Sequence, residues 1–143
     1  MNDMDVLLVE DNQGDVLLIK VALGETGTPM QINVVNDGDE AMLFLENKGR
    51  FANAPKPDII LLDINLPKKN GHEVLEFIKS NSVLKHIPVV ILTTSSSQID
   101  IDMAYANHAN CYITKEADID QFLKSISVVF SLWTSIGRLP SKK

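Results

Sequence analysis

Glu10, Asp11, Asp63, Thr93 and Lys115 lie far apart along the chain, yet each follows directly on a short apolar run: residues 6–9, 59–62, 89–92 and 112–114. If those runs are parallel strands of one sheet, all five polar groups emerge at its carboxyl edge, where open α/β sheets place their ligands. Three carboxylates, a hydroxyl and an ammonium would then converge. That set suits a bound divalent cation beside a carboxylate nucleophile, with Thr93 and Lys115 left to hold the oxygens of an incoming phosphoryl group. Unpaired carboxylates a few ångströms apart repel and raise one another's pKa unless a cation is present. Mg2+ or Mn2+ is expected to relieve that conflict, bound by two carboxylates and a backbone carbonyl such as that of Asn65. Singly, Asp63 could be a loop acid, Lys115 a solvated lysine and Thr93 the hydroxyl that ends a ladder. Their joint placement at strand ends favours a site.

The elements that must position these groups follow from periodicity. Residues 5–9 form a short apolar run, after which Val16, Leu17, Leu18, Val21 and Ala22 recur at helical spacing. A Gly- and Pro-containing break at 24–29 precedes a second strand at 32–35, and Ala41, Met42, Phe44 and Leu45 give a helix that Gly49 ends. Residues 59–62 are continuously apolar, as a strand covered on both faces should be, and are expected at the centre. Val74, Leu75, Phe77 and Ile78 mark a third helix, 89–92 a fourth buried strand, and about 97 to 106 a less apolar fourth helix. Residues 111–113 read as a short fifth strand and 122–132 as a last helix. Five βα units with short connections predict a doubly wound parallel sheet, flavodoxin-like, with strand order 2-1-3-4-5 and a switch point between the first and third strands.

At 143 residues the chain is expected to be one domain, 1–143, with an extended C-terminal helix and tail from about residue 126. A net charge of −6 argues against nucleic acid or anionic membrane as partners, and no apolar stretch approaches the length needed to cross a bilayer. The first residues carry Asp3 and Asp5 without a basic head and apolar stretch, and Cys111 is the single cysteine. A cytoplasmic location is expected. His72, His86 and His108 show no metal-ligand spacing and are expected at the surface or in loops.

Val-Glu-Asp-Asn at 9–12, Leu-Leu-Asp-Ile-Asn-Leu-Pro at 61–67, Gly71, Pro-Val-Val-Ile-Leu-Thr-Thr at 88–94 and Tyr-Ile-Thr-Lys at 112–115 resemble the receiver domain of two-component response regulators. The resemblance spans residues 5 to 132. It is strongest toward small stand-alone receivers that partner bacterial phytochromes and related histidine kinases, through Leu-Pro-Lys-Lys-Asn-Gly at 66–71, Leu-Lys-His-Ile-Pro-Val-Val at 84–90 and the tail bearing Trp133. It implies that Asp63 accepts a phosphoryl group from a kinase histidine, and that Asp11, Asp63 and the main chain of Asn65 ligate Mg2+ while Glu10 holds a metal-bound water. Thr93 and Lys115 would grip the phosphoryl oxygens, and Tyr112 would be the aromatic switch that turns toward Thr93 and reshapes a partner-binding face. The protein would then be a phosphoacceptor rather than an enzyme, with at most slow phosphorylation from small donors and slow loss of the phosphoryl group.

The family's lysine is commonly followed by a cis proline, whereas Lys115 precedes Glu116. A cis bond before a residue other than proline costs about 2.5–4 kcal/mol, so either the bond is trans or strain is held elsewhere. Ile126, Val128, Val129, Phe130, Leu132, Trp133 and Ile136 offer more apolar surface than one core stripe requires. A homodimer through the last helix is expected, with Phe130 and Trp133 as its anchors. Since no segment follows Lys143, output is expected to pass through a partner. Two alternatives compete. A phosphatase of the haloacid dehalogenase type needs a second acid two residues after the nucleophile, where Asn65 stands; a receiver-like module that binds without switching needs none of the chemistry.

Overall fold

The computed structural model describes residues 3–115 and 118–141, with the side chains of all but 135 and 136. Its parallel strands are β1 (Met4–Val9), β2 (Met30–Val35), β3 (Ile59–Leu62), β4 (Val89–Thr93) and β5 (Cys111–Thr114), in the order β2-β1-β3-β4-β5. This is the flavodoxin-like arrangement expected from the alternating pattern. The helices are α1 (Gln13–Gly24), α2 (Gly38–Leu45), α3 (Gly71–Ser80), α4 (Gln98–Ala106) and α5 (Ile119–Ser131), the last running into a π-helical turn, Leu132–Ile136.

Because successive strand residues face opposite sides, each central strand feeds two cores. Leu7, Val9, Ile60, Leu62, Val89 and Ile91 point toward α2, α3 and α4, while Val6, Leu8, Ile59, Leu61, Val90 and Leu92 point toward α1 and α5. Both sets are almost fully buried, which is why β1, β3 and β4 read as unbroken apolar runs.

Register brings the strand ends together. Val9 pairs with Leu62, Leu62 with Ile91, and Thr93 with Thr114. The residues that follow, Glu10, Asp11, Asp63 and Lys115, therefore leave the sheet along one edge. Two further backbone bonds extend the ladder into that edge, Asp63 N to Val9 O at 3.1 Å and Lys115 N to Thr93 O at 2.7 Å.

Several expectations need correction. Phe130 is fully buried: with Phe122 and Ile126 it forms the stripe by which α5 docks on the sheet, so it has no surface to offer a partner. Trp133 is half-buried against the same core, and Ile136 has a side chain outside the described set. The exposed apolar residues of this region are Val128 and Leu132. On α1, Leu17 and Val21 face outward while Ile19 and Leu23 are buried in their place. His72 is buried rather than superficial, its Nε2 3.0 Å from Asp100 Oδ1. The Lys115–Glu116 bond lies outside the described residues.

Candidate functional site

The edge of the sheet around β1, β3, β4 and β5 carries an acidic pocket. Glu10 and Asp63 are buried, Asp11 is exposed at the rim, and ligand oxygens of the three lie within 4.8 Å of one another. Glu10 is held at both ends. Its carbonyl accepts from Asn36 Nδ2 at 3.0 Å, and its Oε2 accepts from Asn12 N at 3.2 Å. Asp63 is approached from behind by Gly71, where a Cβ would come within 2.3 Å of the Asp63 carbonyl oxygen. Only a residue without a side chain lets α3 begin so close to the acid.

Lys115 closes the pocket. Its Nζ lies 2.5 Å from Glu10 Oε1, 2.9 Å from Asp15 Oδ2 and 3.2 Å from Asp63 Oδ2. Burial by itself would lower the lysine, but the hydrogen bonds to Asp15 and Glu10 and the charge of Asp63 outweigh it and hold the ammonium protonated above its usual range. Burial pushes the Glu10 carboxyl up to about 7, aided by Asp63 and opposed by Lys115. Three carboxylates reach the ammonium of Lys115, and Asp11 adds a further acid at the rim. The surplus of hard oxygen donors, with one acid driven toward neutrality, fits a small divalent cation well.

Asn65 bridges to the next strand: its backbone N–H donates to Asp63 Oδ1 at 3.1 Å and its side-chain amide to Thr93 Oγ1 at 3.4 Å. Thr93 is fully buried at the end of β4. Beyond it, Ser95 ties several elements together. Its carbonyl accepts from the Tyr112 hydroxyl at 2.8 Å, and its own hydroxyl donates to Asp100 Oδ2 at 2.6 Å. Tyr112 is thus turned toward the β4–α4 loop, half-buried on the α3–α4 side, and burial raises its phenol. The Ser95 hydroxyl, then His72, hold Asp100 below the usual carboxylate range.

The residues anticipated from the strand ends, Glu10, Asp11, Asp63, Asn65, Thr93 and Lys115, are brought together, with Tyr112 one step behind Thr93. Phe130 and Trp133 are not among them: both pack into the core between the sheet, α1 and α5. Asp15 was not anticipated. The signal for it was the spacing Asn12-x-x-Asp15, which makes Asn12 an N-cap (Asp15 N to Asn12 Oδ1, 2.9 Å) and places Asp15 on the first turn of α1. His72, Ser95 and Asp100 come from separate elements, and no spacing within the sequence joins them.

Known proteins resemble this chain in sequence and in fold. The sequence pattern of the response regulator receiver domain matches residues 6–127. Response regulator Rcp1 of Synechocystis sp. is 42% identical over 136 residues, covering 95% of this chain and 92% of that protein. The crystal structure of the phosphorylated cyanobacterial phytochrome response regulator RcpA is 47% identical with a TM-score of 0.94, covering 98% of this chain and 100% of that one. The Mn2+-bound form of Rcp1 is 41% identical with a TM-score of 0.92, covering 96% and 99%.

Proposed function

The chain belongs to the response regulator receiver family, and from that premise we propose that Asp63 takes a phosphoryl group from the phosphohistidine of a sensor kinase, one of the phytochrome-associated kind. An Asp63 carboxylate oxygen bonds to phosphorus as the bond from phosphorus to the imidazole nitrogen breaks. The imidazole keeps that electron pair, and the phosphoryl group passes to the aspartate. Such transfers need positioning and charge neutralisation more than covalent help. The observation that carries the reading is the meeting of Lys115 Nζ and the Glu10 and Asp11 carboxylates around Asp63 at the end of β3.

Glu10, Asp11, Asp63 and the main-chain oxygen of Asn65 would hold Mg2+ or Mn2+, which when bound offsets the charge of the phosphoryl oxygens. Lys115 and the Thr93 hydroxyl hold those oxygens from the other side. Thr93, Ser95 and Tyr112 form a continuous set of hydrogen bonds from the site to the face made by α4, β5 and α5, which supports a switch through Tyr112. On that face a groove of about 500 Å³ is lined by Tyr112, Ile113, Gln121, Lys124, Val128 and Val129. A second copy of the chain docking there, with Val128 of α5 and Leu132 of the π-helical turn at the contact, is the dimer we infer in place of one anchored by Phe130. The net charge of −6 speaks for protein rather than nucleic acid partners, and among the described residues no helix is long and apolar enough to cross a membrane. Slow phosphorylation from small donors follows from the same site. No observation among the described residues favours the alternative of a non-switching module.

Addition of Mg2+ and beryllofluoride, which mimics the phosphoryl group, tests the switch. The amide NMR signals of Thr93, Ser95 and Tyr112 should shift together with those of α4, and Thr93→Ala should confine the change to the pocket. Shifts in the pocket alone in the unsubstituted protein would contradict the switch.

A further inference from the structure

Two of the three partners of Lys115, Glu10 and Asp63, belong to the phosphoacceptor chemistry just described; the third does not. Asp15 projects from the first turn of α1, and its Oδ2 is nearer to Nζ (2.9 Å) than Asp63 Oδ2 is (3.2 Å). Its backbone N–H, not its side chain, makes the α1 cap with Asn12, so the carboxylate is at liberty to reach across to the lysine. The Lys115 side chain is 7% exposed and that of Asp15 28%: a buried ammonium is tied to an acid on the rim. An ammonium has three N–H donors, and here each faces a carboxylate.

We propose that Asp15 is a positioning residue that tethers Lys115 toward α1 and so limits its grip on the phosphoryl group at Asp63, shortening the life of the phosphorylated state. The inference rests on Asp63 as the acceptor. When Asp63 carries the phosphoryl group, the contact from Nζ to Asp63 Oδ2 would be exchanged for one to a phosphoryl oxygen, while the 2.9 Å contact to Asp15 keeps drawing the ammonium toward α1. Glu10 cannot follow, being buried and fixed by Asn12 and Asn36. Asp15 holds the lysine back through that contact. Loss of the group is hydrolysis: a water oxygen bonds to phosphorus, the bond from phosphorus to Asp63 breaks, and carboxylate and inorganic phosphate remain, with the water's proton released to solvent. On this proposal a lysine free to move fully onto the phosphoryl oxygens holds the phosphorylated state more strongly than the transition state of this step, and so slows it.

The test is Asp15→Asn, which keeps size and cap, read two ways on the full chain. In the unphosphorylated protein, the Lys115 ammonium protons should exchange with water faster by NMR once the tether is gone. This reading does not depend on Asp63 being an acceptor, so its failure is distinct from the failure of that reading. After phosphorylation with acetyl phosphate and Mg2+ and removal of the donor, intact mass should show the phosphoryl group lasting roughly three- to tenfold longer, the scale of one charge-assisted contact. In a Lys115→Met background the same change at 15 should alter the lifetime by less than about twofold, because the effect runs through the lysine. Unchanged ammonium exchange, an unchanged or shortened lifetime, or an equal effect with and without Lys115 would each overturn the proposal.

Discussion

At the scale of single residues the pocket is set by where charge is placed relative to water. Glu10 carries a carboxyl whose pKa is raised from 4.5 to about 7, chiefly by burial and then by Asp63. A carboxyl raised in the folded state contributes stability that is present below its unfolded pKa and lost as pH climbs through the folded one. Metal-free protein should therefore lose stability between about pH 4.5 and 7, and Mg2+ should restore it. The proton and the cation compete for the same oxygens, so Mg2+ affinity should rise with pH up to about 7 and level off above it. Glu10→Gln should flatten both dependences; calorimetric titration and thermal melts across this range would reveal a retained slope if another group were responsible. Most of these residues were legible in the sequence because each stands one step past an apolar run, and a parallel register turns that into proximity. Asp15 was not, since its approach to Lys115 depends on the direction α1 takes from its cap.

At the scale of elements, close approach and packing decide. Gly71 lets α3 start against the back of Asp63, and a Cβ there would meet the Asp63 carbonyl oxygen at 2.3 Å and Ile64 Cα at 2.5 Å, both backbone atoms with little room to yield. Gly71→Ala should cost roughly 1–3 kcal/mol of stability by denaturant unfolding, the usual toll of overpacking, and weaken Mg2+ binding as Asp63 is pushed aside. Stability and affinity equal to those of the unsubstituted chain would show that α3 can slide. For α5, Phe122, Ile126 and Phe130 recur every fourth residue and are all buried. Phe130→Ala should cost about 3–5 kcal/mol in the monomer, whereas Val128→Ser with Leu132→Ser should leave the fold nearly as stable and reduce self-association in sedimentation. The reverse pattern would return Phe130 to the interface. The apolar excess in residues 126–136 was visible in the sequence, but not which part of it the sheet takes up. The face of α1 was ambiguous for a related reason: residues 16–19 and 21–23 are all apolar, so periodicity could not choose between Leu17 and Ile19.

For the whole molecule, a five-stranded sheet buries its central strands on both sides and leaves chemistry only at its edge, so site and core do not compete for the same residues. Fold class and strand order were readable because alternating units with short connections admit few parallel topologies. The hydrogen-bonded path from Asp63 through Asn65, Thr93 and Ser95 to Tyr112 was not, because it joins residues from separate strand ends and loops. We propose that a change at Asp63 reaches the face of α4, β5 and α5 along that path, with phosphorylation of that one carboxylate as the trigger. Intact mass after incubation with acetyl phosphate, with and without Mg2+, in the unsubstituted chain and in Asp63→Asn, tests it most directly. One added phosphoryl group, dependent on Mg2+ and absent from Asp63→Asn, is the expected result. No added mass under conditions that modify a known receiver, or equal modification of Asp63→Asn, would contradict it.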